Sequence, residues 1–227
     1  SSDMVLLNDN FASIVKAVRQ GRRVFDNMKK SIKFLLSANA GEVLTIFFSL
    51  LIGMPLPFIP LAILWMNLVT DSLPALALAV EPAEGDVMKK KPNKSGLLEG
   101  TWKTVIAAGV IFSLIVVSVF LWAEPFGLDV ARTMAINSAI FFELFFAYSC
   151  KSKKMIYNKQ VFNNNWLNYS FIASAGLQIL AIYTIVGSVF EFVPLTGMQL
   201  AVSISAGFIG VVVMEAKKIF DAVFVKE

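Results

Sequence analysis

Read for its apolar and polar positions, the chain divides into a charged amphipathic start and a series of long apolar runs joined by short connections. Met4-Val-Leu-Leu7 has the pattern of a short buried strand. The polar turn Asn8-Asp9-Asn10 closes it, and Asp9 or Asn10 is placed to cap a following helix. Phe11, Ile14, Val15 and Val18 recur at helical spacing, and Phe25, Met28 and Ile32 extend a similar stripe. Arg19, Arg22, Arg23, Lys29, Lys30 and Lys33 take the remaining positions, so residues 11–33 are predicted to form a stalk helix that runs unbroken into the first apolar run. Six such runs follow, at 34–54, 59–80, 104–123, 133–150, 167–187 and 198–215. Each is near the ~20 residues that a helix needs to cross a hydrocarbon core. Pro55, Pro57 and Pro60 predict a tight first hairpin, and residues 124–129 and 191–197 predict two more short turns on the same side. The expected fold class is all-α: a polytopic membrane helix bundle of six transmembrane helices with an N-terminal cytoplasmic stalk.

Composition supports a bilayer as the solvent for this bundle. Hydrophobic residues make up 57% of the 227 positions and charged residues 16%, against about 25% charged in a soluble domain. The net charge of +4 does not point to nucleic acid, because the bases sit in clusters between apolar runs. Nineteen of the twenty Lys and Arg residues fall in the stalk, the longer linkers and the C-terminus, and only Arg132 falls on the other side. The positive-inside rule then places both termini in the cytoplasm, which an even number of spans allows. Trp102, Trp122 and Trp166 fall at the predicted interfaces, where aromatic anchors gather. The single cysteine, Cys150, excludes an intramolecular disulfide, and the absence of histidine excludes a His metal site or proton relay. The polar start, followed by a charged segment, lacks the pattern of a secretory signal.

Three carboxylates, Glu42, Asp71 and Glu143, lie inside the apolar runs. On insertion scales each costs about 2.5–3.5 kcal/mol at a helix centre, and no Lys or Arg lies at a similar depth in the chain. A salt bridge would need a base from outside these residues. Asn39 and Glu42 are spaced i, i+3 and share one helix face, and Asn67, Thr70 and Asp71 share another at i, i+3 and i+4. Only oxygen ligands of the hard kind converge here, which suits a cation such as Ca²⁺. Gly41 thins the first run beside Glu42. Pro74, just after Asp71, either frees a carbonyl and unwinds its helix or only kinks a packed bundle. Gln178, Asn137, Ser113, Ser118, Ser203 and Ser205 are expected to bond between helices. Glu215 is expected at the interface beside Lys217 and Lys218, and Phe141, Phe142, Phe145 and Phe146 face lipid or pack.

Four motifs carry a resemblance to a known family: Asn27-Met-Lys-Lys30, Ser37-Ala-Asn-Ala-Gly-Glu42, Leu64-Trp-Met-Asn-Leu-Val-Thr-Asp71 and Leu78-Ala-Val-Glu-Pro82. Together they resemble type II P-type cation-transporting ATPases, above all the sarco/endoplasmic-reticulum-type Ca²⁺ pumps and their bacterial relatives. Ser2-Asp-Met-Val-Leu-Leu-Asn-Asp-Asn-Phe11 resembles the end of that family's phosphorylation domain, with Asn8 where the family usually has Asp. The resemblance is strongest through Pro92 and rests beyond that on topology and Glu143. It implies that residues 1–10 end a phosphorylation domain, 11–33 form the stalk, 34–217 form the transmembrane domain and 218–227 form a cytoplasmic tail. It also implies metal ligands at Asn39, Glu42, Asn67, Thr70, Asp71 and Glu143, with Ca²⁺ as the transported ion.

The resemblance further implies a bacterial plasma-membrane enzyme in which this chain is one part. The phosphorylated aspartate, the nucleotide-binding and actuator domains and the first four membrane helices would be its partners. ATP and Mg²⁺ would act only through those domains. Motion of the stalk would reach Asn39 and Glu42, and the emptied carboxylates would take up protons, giving proton counter-transport. Two other classes remain open at this point: a free-standing six-span cation transporter or channel, and a non-catalytic regulatory membrane subunit.

Overall fold

A computed structural model describes residues 11–83, 85–89, 96–152 and 161–224, with side chains through Phe220. Among them the regular structure is entirely helical. The strand and turn predicted at 4–10 lie outside the described residues, as do 153–160 and 225–227.

The stalk and first span are one helix, α1 (Phe11–Ile52), of 42 residues. Its buried positions, Asn27, Phe34, Ser37, Ala38, Gly41, Glu42, Thr45 and Ser49, form a single stripe at helical spacing. The apolar stripe predicted for the stalk is left open instead, with Phe11, Ile14, Val18 and Met28 exposed. Gly53 ends the helix at φ 73°, a left-handed conformation that a residue without Cβ adopts at little cost. There Met54 N–H bonds the Ser49 carbonyl at 3.1 Å and Gly53 N–H bonds that of Leu50 at 3.2 Å. Pro60 then opens α2 (Pro60–Trp65) from a position where no amide hydrogen is needed.

The second span is not uniform. After α2 it widens into a π-helical turn, Met66–Asp71, and resumes as α3 (Ser72–Ala79). Pro74 has no N–H for the carbonyl four residues earlier, and the ladder takes up that mismatch upstream. Ser72 Oγ donates to the Asn67 carbonyl at 3.0 Å, and Thr70 Oγ1 donates to that of Met66 at 2.9 Å. Of the two outcomes open for Pro74, the helix neither unravels nor simply bends; it turns more widely.

The remaining helices are α4 (Trp102–Ala123), α5 (Leu128–Lys151), α6 (Asn165–Tyr183), α7 (Ile185–Val189) and α8 (Gly197–Phe224). Among the described residues, five helical stretches are long and apolar enough to cross a membrane: Phe11–Ile52, Pro60–Ala79, Trp102–Phe126, Leu128–Lys151 and Gly197–Phe220. The run predicted at 167–187 is instead divided between α6 and α7. Thr184 is extended between them, at φ −124° and ψ 172°. Gly187 then lies so close to the Ala181 carbonyl that no Cβ fits, and Tyr183 Oη donates to the Leu195 carbonyl at 2.7 Å. This folding-back is set by contacts 6 and 12 positions apart, which an apolar count does not register.

Helix α5 is the centre of the bundle, buried on nearly every side. Its phenylalanines pack rather than face lipid: Phe142 meets Phe112 edge-on at 5.4 Å, Phe146 stacks on Phe34 at 6.5 Å, and Phe145 touches Phe171 and Phe208. Small residues bring the neighbouring backbones close. A Cβ on Gly41 would fall 2.5 Å from the Phe112 ring, and one on Gly207 of α8 would fall 2.6 Å from the Phe142 amide nitrogen. Trp102, Trp122 and Trp166 are exposed near helix ends.

Polar ties close both ends. At the end holding the first hairpin, Arg132 donates to the Leu56 carbonyl at 3.2 Å and lies 4.0 Å from Glu191, while Thr133 accepts from Val193 N–H at 3.0 Å. At the stalk end, buried Glu81 pairs with Lys151 at 3.2 Å and accepts from Asn164 Nδ2 at 2.6 Å. Asn27 and Arg23 of the stalk donate to the Glu81 carbonyl at 2.8 and 3.1 Å. Glu215, at this same end, is buried: it accepts from Ser149 at 2.5 Å and from Lys218 at 2.6 Å. Lys33 donates to the Cys150 carbonyl at 3.2 Å and Lys218 to that of Ser149 at 2.7 Å, so bases gather at the negative end of α5.

Gly41→Ala is expected to destabilise the α1–α4 contact by about 1–3 kcal/mol through overpacking against Phe112. Gly21→Ala, on the same helix with nothing within 4 Å, is expected to be neutral or slightly stabilising. Thermal unfolding of the purified protein in detergent compares the two.

Candidate cation site

The three intramembrane carboxylates come from three different elements and meet. Glu42 is on α1, Asp71 ends the π-helical turn and Glu143 is on α5. Each offers an oxygen to a group whose members all lie within 4.8 Å of one another, and all three residues are buried. Two features carry them there. Gly41 lets α1 approach α4 beside Glu42, and the wide turn rotates Asp71 inward, leaving it fully buried.

Amide and hydroxyl groups surround the cluster unevenly. Asn67 Nδ2 donates to both Glu42 oxygens, at 3.0 and 3.1 Å, and to the Ile63 carbonyl at 3.1 Å. The Asn67 carbonyl oxygen is thereby left on the side away from the carboxylate it holds. Thr70 is buried on the same turn as Asp71, with its proton given to Met66 and its oxygen lone pairs retained. Both oxygens of Asp71 and both of Glu143 are buried without a hydrogen-bond partner. Asn39 stands apart: it is exposed on α1, and its amide donates to the Leu35 carbonyl at 2.8 Å. Glu42, Asn67, Asp71 and Glu143 are thus brought together with Thr70 beside them, and Asn39 lies at the open edge.

The electrostatics of this arrangement are one-sided. Among the described residues no Lys or Arg forms an ion pair with any of the three carboxylates; Arg132–Glu191, Lys151–Glu81 and Lys218–Glu215 are ion pairs formed elsewhere. Four unpartnered carboxyl oxygens in an apolar interior have lost their hydration, and ionising both groups there without a counter-charge is costly. A hard divalent cation is the natural counter-charge, and carboxylate, amide and hydroxyl oxygens are its preferred ligands. A transition metal that favours sulfur or imidazole has no such atom in this group.

Sequence reasoning missed two neighbours. Glu81 belongs to a quoted motif, but its pairing with Lys151 joins segments 70 positions apart. Trp65, adjoining the π-helical turn, is a buried tryptophan rather than an interfacial one, and its Nε1–H donates to Gln178 Oε1 at 2.8 Å. The polar Gln178 in an apolar run was the available signal. Asn137 does bond between helices, to Ser203 at 2.7 Å, whereas Ser113 and Ser118 bond carbonyls of their own helix.

Residues 55–220 match the family described as "Cation transporting ATPase, C-terminus". The chain is 36% identical over 190 residues to the "Calcium-transporting ATPase" of Bacillus subtilis (strain 168), an alignment covering 81% of this chain and 21% of that protein. It is 38% identical over 203 residues to "Calcium-transporting ATPase 1" of Bacillus cereus, covering 80% and 23%. Over 95 residues it is 52% identical to "Calcium-transporting ATPase 2, endoplasmic reticulum-type" of Arabidopsis thaliana, covering 42% and 9%. The chain therefore spans about a fifth of the length of its two Bacillus relatives.

Glu143→Gln replaces one of three converging carboxyl groups with an amide of the same shape. In EDTA it is expected to raise the apparent thermal midpoint of the protein, and to shrink the further rise that an added divalent cation gives. Scanning fluorimetry with and without the cation checks both signs.

Proposed function

The chain belongs to the family of cation-transporting ATPase C-termini, and on that premise we propose that it forms the ion-binding membrane part of an ATP-driven Ca²⁺ pump. The observation that carries this reading is the convergence of Glu42, Asp71 and Glu143 within 4.8 Å in the bundle interior. The names of the relatives favour Ca²⁺ as the cargo, and an all-oxygen ligand set agrees with it. The ligands proposed are Asn39, Glu42, Asn67, Thr70, Asp71 and Glu143. Asn39 joins them from the open edge of α1.

In this reading residues 1–10 end a phosphorylation domain, 11–33 are the stalk, 34–217 the transmembrane domain and 218–227 a cytoplasmic tail. Both termini face the cytoplasm of a bacterial cell, and the bilayer is the plasma membrane. The exposed apolar residues Val43, Phe47, Leu64 and Leu68 beside the cluster suit cover by membrane helices belonging to the rest of the pump. ATP and Mg²⁺ act through the phosphorylation and nucleotide-binding domains outside this chain.

The ion cycle follows from the site's chemistry. With Ca²⁺ bound, the carboxylates are neutralised and their orphaned oxygens gain a partner. Asn67 holds the Glu42 carboxylate in place from the neighbouring span. Because α1 is continuous from Phe11 to Ile52, tilting the stalk moves Glu42 relative to Asp71 and Glu143. Fewer oxygens then reach the ion, and it leaves toward the far side. The emptied, dry carboxylates take up protons in its place, so H⁺ travels against Ca²⁺.

ATP-driven ⁴⁵Ca uptake into vesicles containing the full-length parent tests the activity; absence of ATP-dependent uptake overturns the pump reading. In the same protein Glu42→Gln is expected to raise the Ca²⁺ concentration needed for phosphorylation by ATP at least about tenfold. Unchanged calcium dependence would remove Glu42 from the ligand set.

A further inference from the structure

We propose that Gln178 of α6 is a positioning residue for the cation site, acting through Trp65 on the turn that carries Asn67, Thr70 and Asp71. The inference rests on the reading of that turn as part of the ion site, and adds a residue that touches no ligand.

Trp65 is the last residue of α2, directly before the π-helical turn. It is held from two sides. Gln178 Oε1 accepts its indole N–H at 2.8 Å in a buried bond, and Phe190 lies against its ring with centroids 4.8 Å apart. Both partners come from the divided helix. Gln178 sits in α6, fully buried, and Phe190 caps α7 just beyond the break at Thr184. Had α6 continued straight through Thr184, Phe190 would project farther along the helix axis. The break that disrupts the predicted fifth span thus brings a second contact onto Trp65. Phe192 stacks on Phe190 at 5.8 Å and supports it from behind.

A wide helical turn needs such a holder. Its backbone ladder can shorten to an α-helical register, which would rotate every following side chain by a large part of a turn. Pro74 fixes the downstream end, since its carbonyl partner is lost in either register. Upstream, Trp65 is the ring on which the register is pinned. Turning it away would leave both an indole N–H and a Gln carbonyl unpaired in an apolar interior, where such orphans are strongly disfavoured. Gln178 thereby holds Asp71 in its inward position from across the bundle.

The test uses the full-length parent in detergent, with equilibrium ⁴⁵Ca binding and thermal unfolding measured on the same preparations. Gln178→Met keeps the side-chain shape and removes the acceptor; Trp65→Phe keeps an aromatic ring and removes the donor. Each is expected to raise the half-saturating Ca²⁺ about tenfold with unchanged maximal binding. The double variant is expected to be no worse than the weaker single one, because both remove one bond. Should Gln178→Met fail to accumulate, Trp65→Phe reads the same bond. Wild-type affinity in either single variant, or losses that add in full in the double variant, overturns the inference. Glu42→Gln is the control: if it too binds Ca²⁺ normally, the site reading itself fails. If only Glu42→Gln is impaired, the site stands and the role of Gln178 falls.

Discussion

The burial of Glu42, Asp71 and Glu143 side by side is the constraint around which the bundle is organised. Three carboxyl groups within 4.8 Å of one another, with four of their oxygens unpartnered, would favour an open, hydrated arrangement unless the helices that carry them were held by other means. The holding contacts are apolar and close. Gly41 seats the Phe112 ring, Gly207 seats the α5 backbone, and the Phe34, Phe112, Phe142 and Phe146 rings fill the space around α5. Close packing of small and aromatic residues is a strong attraction available between helices in lipid, where burial of apolar surface from water contributes little. The core therefore keeps three desolvated carboxyl groups together, a placement that a bound cation would stabilise in the function proposed above.

The contrast with the other buried charges is instructive. Glu81 and Glu215 are also buried, yet each has a lysine and a side-chain hydrogen-bond donor within reach. Both lie at the stalk end, where they join α1, α3, α5, α6 and α8 into one collar. The chain thus contains two kinds of buried carboxylate. Those at the collar are neutralised by the protein itself and stay so. Those at mid-bundle have no base of the described residues in an ion pair with them. The distinction depends on whether a base of the same chain can reach them, and not on depth alone.

Much of this was legible in the residues. Long apolar runs and the one-sided distribution of Lys and Arg define a helical membrane bundle, because hydrocarbon admits few other backbones. The spacing of Asn39 with Glu42, and of Asn67 and Thr70 with Asp71, places polar groups on shared faces by helix geometry alone. Three things were not legible. The meeting of Glu42 and Asp71 with Glu143, which lies 101 and 72 positions further along the chain, follows no local pattern and is a tertiary fact. The division of the fifth apolar run at Thr184 follows from a fold-back onto Ala181 and Leu195. The burial of Trp65 against Gln178 depends on a partner 113 positions away. Asn39 was assigned by its position beside Glu42, and its exposed edge location could only be seen once the helices were assembled.

The continuity of α1 has a mechanical consequence. From Glu42 to Phe11 the helix extends roughly 46 Å at about 1.5 Å per residue, with no proline along that length. Pivoted at Asn27, where the collar grips it, such a rod has arms of roughly 24 Å to Phe11 and roughly 22 Å to Glu42. A swing at one end is therefore passed to the other at about the same size and in the opposite sense. Oxygen ligands of a hard cation sit within a window of a few tenths of an ångström. In the pump proposed above, a movement of about an ångström at Phe11 would then be enough to separate a held ion from a released one.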